Sequence, residues 1–288
     1  MDFQSTLLET GLQITKNISI GITNPMGQDF RLLNKAMSDT YPFIRKEHCV
    51  YNNTFLQNTL VEVRFLSLKE RDDQKGIIER FRDFVRKLWM LDLPDEFSFI
   101  ERSINLFSEH KSVRIEFEHD RVKIIIGRDS YYSFEKTVLP YLKIIGDFLR
   151  NVVKDDHILY FSLRKINIWP IQKYNNTLKD RLLKAIFSEE LLSDGMFKYN
   201  SDTKNVTQWE KERVFNWEDF KIKLRYGFKE PENESYNELI VLDTVVEVSD
   251  NKLWDSLDFP HYNSILFDAY HWAVSPKIIE IMNMPNAK

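Results

Sequence analysis

The most regular alternation of apolar and charged residues lies between positions 220 and 228. Apolar side chains occupy every second position, and the positions between them hold basic side chains and one glycine. Successive side chains of a strand point to opposite faces of a sheet, so this pattern predicts a half-buried antiparallel strand. The Val-rich run Leu239 to Val248 follows an acidic turn and predicts the partner strand of a hairpin.

Shorter runs of β-branched and aromatic residues predict further strands. They cover residues 12–22, 55–68, 113–117, 122–126 and 158–169. The 113–117 and 122–126 runs are close enough to form a hairpin, and the 158–169 run is expected to end at Pro170.

Apolar residues at a spacing of about 3.6 predict amphipathic helices. These helices cover residues 76–90, 131–152 and 178–192, with a kink or a break expected at Pro140. A further helix is predicted from Pro25 to about Met37. Two more begin near the C-terminus, because Asp258 and Ser275 are cap residues that proline follows closely.

A hairpin followed by a helix occurs twice, at about 113–152 and about 220–273. The predicted fold is therefore α+β, with antiparallel sheets that have helices packed on one side. Glycine and proline are scarce and no linker of biased composition is present, which favours one compact unit over residues 1–288. The repeated β-β-α pattern leaves open two related lobes, residues 1–156 and 157–288.

The amino-acid composition limits the functional classes to which this protein can belong. Of 288 residues, 43% are hydrophobic, which is enough to build a core. The net charge of −4 argues against a uniformly basic, nucleic-acid-binding surface. With Cys49 as the one cysteine, the chain can form no internal disulfide, and we expect this thiol to be a small buried apolar group. No run of residues matches a secretory signal or a membrane span, so a cytoplasmic location is expected.

Two groups of residues are candidate binding sites. Lys221, Lys223 and Arg225 share one side of the predicted strand 220–228, with a spacing close to that of phosphates in an extended nucleic-acid strand. The alternative is an ordinary polar strand face neutralised by carboxylates across the hairpin. His261, Asp268 and His271 fall on one side of a predicted helix and are candidate metal ligands, the alternative being a solvated helix face.

Motifs of the common enzyme classes are missing from the sequence. We find no nucleophile elbow, phosphate-binding glycine loop, dinucleotide fingerprint or zinc-protease pair. The pattern Asp219-Phe220-Lys221 has the form of a nuclease metal motif, but three residues with one free position are expected by chance in a chain of this size. No catalytic residue and no cofactor is therefore assigned.

Three stretches resemble a sporadically distributed bacterial protein family of unknown function. They are RVKIIIGRDSYYSF (residues 121–134), SLRKINIW (162–169), and LIVLDTVVEV (239–248) followed by NSILFDAYHWAVSPKII (263–279). The second is similar to the family's "LRYIN" strand, with Lys165 in place of the usual tyrosine. The resemblance implies no catalytic residues, and the family's patchy occurrence implies mobile or phage-defence genes.

Together these patterns favour a non-enzymatic binding or assembly subunit of a bacterial cytosolic system. A protein partner or a second copy in a homodimer is expected, because six Trp and 21 Phe exceed what a hairpin-rich core of this size hides. Two alternatives stay open: a nucleic-acid-binding protein that uses the basic strand face, and a metal-dependent hydrolase.

Overall fold

Nine antiparallel strands form one sheet in the part of the chain that the structure describes. The computed structural model describes residues 41–49, 51, 54–68, 76–77, 79–81, 98–100, 103–108, 112–171, 176–193, 209–217, 219–229 and 238–285. The strand predicted at 12–22 and the helix predicted at 25–37 lie outside these residues. The strands are β1 Leu56–Phe65, β2 Ser98–Ile100, β3 Ser103–Ser108, β4 Val113–Phe117, β5 Arg121–Gly127, β6 His157–Ile171, β7 Trp209–Trp217, β8 Phe220–Lys229 and β9 Glu238–Leu253.

The helices pack beside this sheet, so the predicted α+β class is confirmed. They are α1 Leu139–Phe148, α2 Asn176–Ile186, α3 Glu189–Leu192, α4 Phe259–Ala273 and α5 Pro276–Asn283. π-helical turns at Phe134–Val138 and Leu149–Val153 extend α1 at both ends. Residues 76–77 and 79–81 are also helical, within the helix predicted at 76–90.

The strand order shows that the sheet has two halves of matching topology. The order is β2-β3-β4-β5-β1-β6-β9-β8-β7, with β1 and β6 side by side in the middle. In the first half β1, β3, β4, β5 and α1 follow in this order, with the short β2 inserted after β1. In the second half β6, β7, β8, β9 and α4 follow in the same order, with α2 and α3 inserted after β6. When β2 at the outer edge of the first half is set aside, each half has the same strand order from the centre outward, although the sheet is continuous between them.

Burial along the strands follows the apolar pattern of the sequence. In β8 the side chains of Phe220, Ile222 and Leu224 are buried, whereas Lys221 is exposed. The predicted hairpin between β8 and β9 forms with Ile222 opposite Val246. The hairpin between β4 and β5 forms in the same way, with Ile115 opposite Ile124.

The secondary structure differs from the sequence predictions in several features, and the short strands β2 and β3 were not predicted. Pro170 does not end β6, since it pairs with Leu239 near the exposed end of the strand. Pro140 causes no break in the helical run from 134 to 153, and the run changes there from the π-helical turn Phe134–Val138 to the α-helix that begins at Leu139. The helix predicted at 178–192 is divided into α2 and α3 by a β-bridge between Phe187 and Val274. Strand β7 was missed because its charged residues suit an edge strand rather than a buried one.

Aromatic rings fill the space between the sheet and the helices. In the first half, the Phe81 ring stacks on Phe117 with centroids 4.2 Å apart, and the Phe148 ring meets Phe81 edge-on at 4.8 Å. In the second half, Phe187 contacts Trp169 and Tyr226 edge-on at 6.0 Å and 5.6 Å. Both clusters lie on the same side of the sheet as the helices, which leaves the charged residues of the central strands on the opposite face.

A glycine of α1 allows the two halves to pack closely. Trp254, in the short helical turn after β9, is buried against Gly146. A Cβ atom at Gly146 would lie 2.3 Å from the indole Nε1 and 2.6 Å from Cε2 of this ring. Such distances are well below van der Waals contact, so the contact between α1 and the second half requires a glycine here.

We expect Gly146→Ala to lower the free energy of unfolding by about 1–3 kcal/mol, because overpacking of a buried contact outweighs the roughly 1 kcal/mol that alanine gains in helix propensity. Urea denaturation would measure the change. Lys143→Ala, on the exposed side of the same helix, is the matched control and should not destabilise the protein. Gly146→Ala that is as stable as the wild type would contradict this packing.

Candidate functional site

A row of polar residues crosses the helix-facing side of the three central strands. Lys165 of β6 is paired with Thr59 of β1 on one side and with Thr244 of β9 on the other. Both threonines are 0% exposed. The Thr244 hydroxyl donates to the Lys165 carbonyl oxygen at 3.2 Å, whereas Thr59 Oγ1 has no hydrogen-bond partner among the described residues. This polar row interrupts the apolar core between the sheet and the helices.

Two asparagines extend the polar row toward the helices. The Lys165 Nζ donates to the Asn263 Oδ1 of α4 at 2.7 Å. Asn167 lies two residues along β6 from Lys165, and so on the same side of the strand. Both asparagines are 5% exposed, although asparagine is mostly found at the surface.

A cavity of about 450 Å³ lies above these polar residues. Its floor includes Lys165, Asn167, Thr244 and Asn263. Aromatic and aliphatic side chains of the loop before α1, of α4 and of α5 form the walls, among them Tyr131, Phe134, Leu266, Phe267, Tyr270 and Met282. Because the loop belongs to the first half of the fold and α4 to the second, the cavity lies where the two halves meet.

A segment that precedes β1 lies across α4 at the mouth of the cavity. We call residues 41–49 and 51 the strap. Asp268 of α4, which is 1% exposed, accepts hydrogen bonds from the Tyr41 hydroxyl at 2.8 Å and from the Lys46 backbone N–H at 2.8 Å. The Phe43 ring packs against Phe215 with centroids 5.1 Å apart. A buried carboxylate with two donors is a strong anchor for the strap.

His271 holds the end of the strap that is nearest the cavity. Its Nε2 is hydrogen-bonded to the Tyr51 hydroxyl. Burial lowers the pKa of His271 to about 4, and the positive charges of Lys46 and His48 add to this, while Asp268 acts in the opposite direction. The imidazole is therefore neutral at pH 7. Burial, followed by a hydrogen bond with Cys49, raises the pKa of Tyr51 and keeps the phenol protonated.

The prediction that Cys49 is buried is wrong. Cys49 is exposed and lines the cavity mouth beside His48, whose ring contacts Phe267 at a tilt of 41° with centroids 4.5 Å apart. The physical reason is that the apolar anchor of the strap is Phe43, so the residues further along can remain at the surface.

The predicted basic face of β8 lies on the side of the sheet away from the helices. Carboxylates of the neighbouring strands β7 and β9 lie next to its cations. Lys223 forms a salt bridge with Glu247 at 2.7 Å, and Arg225 forms one with Glu212 at 2.5 Å. Lys221 is exposed and is paired with Glu247 in the register of β8 and β9. The cross-strand carboxylates match the alternative of an ordinary polar strand face. Nucleic-acid binding by these three residues stays a prediction.

The three predicted metal ligands lie on one helix but have separate contacts. The His261 ring meets Phe220 edge-on at 6.2 Å, while Asp268 and His271 hold the strap. Among the described residues, ligand atoms of at least three His, Cys, Asp or Glu side chains lie within 4.8 Å of one another only at Asp155, Asp156 and His157. Metal binding at His261, Asp268 and His271 stays a prediction.

The floor of the cavity was not recognised as a site in the sequence, although a signal was present. Helix-facing residues of β6 alternate as Phe161, Leu163, Lys165, Asn167 and Trp169. A lysine and an asparagine at core-facing positions of an apolar strand indicate a buried polar site. Asn263 and Tyr131 join these two residues through tertiary packing. The spacing of residues along the sequence does not indicate this contact.

Comparisons with known proteins give no match to this chain. No protein-family model matches it, and no curated protein is significantly similar to it. The resemblance to the sporadically distributed bacterial family therefore stays a prediction. Among the described residues, every helix is too short or too polar to span a membrane.

We expect Asp268→Asn to release the strap, because an amide cannot accept both hydrogen bonds as the buried carboxylate does. A hydrogen bond to a charged group contributes roughly 1.5–3 kcal/mol, so opening should increase about tenfold or more. The rate of trypsin cleavage after Arg45 and Lys46, both exposed, measures this opening. The matched control is Asp258→Asn, the same change at the other end of α4, where asparagine still accepts the cap hydrogen bond from the His261 N–H. An unchanged cleavage rate would mean that Asp268 is not the anchor.

We expect stability to fall between pH 6.5 and pH 4 in a manner that depends on His271. In this range the unfolded imidazole binds a proton and the folded one does not, so lowering the pH favours unfolding by about 1 kcal/mol per pH unit. Urea denaturation at pH 7, 6 and 5 should therefore show a shallower pH dependence for His271→Gln than for the wild type. His261→Gln serves as the control, and parallel curves for wild type and His271→Gln would rule out this role.

Proposed function

We propose that the chain is a non-enzymatic binding protein that holds a small organic molecule in the cavity between the central strands, α4 and the strap. The observation that carries the proposal is the convergence of buried polar groups and aromatic walls on one cavity of about 450 Å³. Sites for small molecules have volumes of roughly 300–1,000 Å³, with mostly apolar walls and a few polar groups that orient the ligand.

Two titratable side chains beside the cavity are engaged in other contacts, which favours binding over catalysis by these two groups. Asp268 and His271, the acid and base groups of α4 beside the cavity, are both engaged in holding the strap. A general base has to reach the proton that it abstracts, and these side chains are directed to the strap instead. A role as a subunit of a bacterial cytosolic system, and self-association as a homodimer, stay predictions that are compatible with ligand binding.

The exposed position of Cys49 provides a direct assay of the cavity. It is the one cysteine of the chain and lines the cavity mouth. A bound molecule should therefore shield its thiol from an alkylating reagent, with no need for a substitution in the cavity itself.

We expect the neutral fluorescent probe N-phenyl-1-naphthylamine to bind the protein saturably and to slow alkylation of Cys49 by iodoacetamide in proportion to occupancy. The matched control is the double variant Cys49→Ser with Ser249→Cys, which places the thiol at an exposed position of β9. Alkylation of this second thiol should be independent of the probe. Lack of saturable binding, or equal slowing at both positions, would overturn the proposed function.

A further inference from the structure

The cations on the two faces of the central sheet differ in their partners. On the face away from the helices, Arg164 donates two hydrogen bonds of 2.7 Å to Asp243, and Lys223 is paired with Glu247. On the helix-facing side, Lys165 is not ion-paired with any carboxylate of the described residues. Its Nζ donates to the neutral Asn263 Oδ1 and lies 5.5 Å from the centroid of the Tyr131 ring.

The described residues satisfy this ammonium group only in part. It has three protons to donate, and the Asn263 oxygen accepts one of them. Placing a charge in a partly buried site without a counter-ion is unfavourable, and the cost falls when an opposite charge joins it. Because the cavity opens directly above Lys165, an anion from solution can supply that charge.

Asn167 adds a second group that is free to bind a ligand. It is 5% exposed, and its side-chain amide has no hydrogen bond to another described residue. It lines the cavity on the same side of β6 as Lys165, with the two α-carbons about 7 Å apart along the strand. The flexible lysine stem can close this distance, so one acid group can accept from both side chains.

We propose that the cavity binds an organic anion, with its acid group on Lys165 and Asn167 and its apolar body against the aromatic walls. This inference rests on the proposed function, since it names the class of ligand for the same cavity. Glu135 lies at the exposed edge of the cavity, where its carboxylate repels an acid group. The acid group is therefore placed at the floor, and the apolar body extends toward Phe267 and the strap.

A pair of probes with one skeleton tests the proposal. 8-Anilinonaphthalene-1-sulfonate has the skeleton of N-phenyl-1-naphthylamine with an added sulfonate. We expect the wild type to bind the sulfonate at least about tenfold more tightly than the neutral probe, since a hydrogen bond to a charged group contributes roughly 1.5–3 kcal/mol. Lys165→Met should remove this preference while keeping the affinity for the neutral probe, and Lys143→Met is the matched control on an exposed lysine.

A second variant separates charge from packing. Asn167→Asp is nearly isosteric and places a carboxylate beside Lys165, so it should abolish the preference for the sulfonate and leave binding of the neutral probe intact. Displacement of the sulfonate probe by benzoate or by phenyl phosphate then tells which acid group is preferred. Displacement by inorganic phosphate at the same concentration would overturn the requirement for an apolar body.

The outcomes separate this inference from the proposed function. If neither probe binds, the cavity is not a ligand site and the proposed function fails. If the neutral probe binds and the sulfonate binds no more tightly, or if Lys165→Met weakens both probes equally, the cavity stands as a ligand site and the anion assignment fails. Retained binding of the neutral probe also shows that a variant has folded.

Discussion

The antiparallel pairing of β1 with β6 is the contact on which the rest of the molecule depends. It joins two halves of matching topology into one sheet and places Thr59, Lys165 and Thr244 side by side. Because the side chains of paired residues lie on the same face, this register brings the polar row beneath the meeting point of α4 and the loop before α1. A shift of one residue would turn Lys165 to the opposite face and place Arg164 in the core.

The sheet distributes its charges unequally between its two faces. Carboxylates neutralise the cations on the face away from the helices, as in the pair of Arg164 and Asp243. On the helix-facing side, the cavity contains an ammonium whose described partners are a neutral amide oxygen and an aromatic ring. A charge that faces solvent has a small desolvation free energy. A charge at the cavity floor is desolvated and destabilises the protein, and a ligand of opposite charge can offset this effect.

The strap and the cavity are linked through α4. One helix carries Asn263 toward the cavity floor, Phe267 toward its wall, and Asp268 and His271 toward the strap. The fifteen residues of α4 therefore contact the sheet and the strap together. Three hydrogen bonds hold the strap through side chains of α4, so polar contacts position the strap at the mouth of the cavity, whereas apolar side chains form its walls.

The sequence predicted the elements whose pattern is local. The hairpins at β4–β5 and β8–β9, the cap of α4 at Asp258 and the α+β class followed from alternation, from apolar spacing of about 3.6 and from cap residues. Strand β7 and the division between α2 and α3 were missed because an edge position and the bridge from Phe187 to Val274 are long-range features. Local patterns contain no information on such partners.

By itself, the sequence determined the strands with a clear apolar alternation, such as β8, but not which side of β6 faces the core, since Ile166 and Ile168 alternate there with Lys165 and Asn167. Only the tertiary structure decided that Asn263, Tyr131 and the strap meet above them, and that Asp268 and His271 are used as anchors. The physical reason is that backbone periodicity fixes the face on which a side chain lies, whereas the packing of distant segments fixes what that face meets.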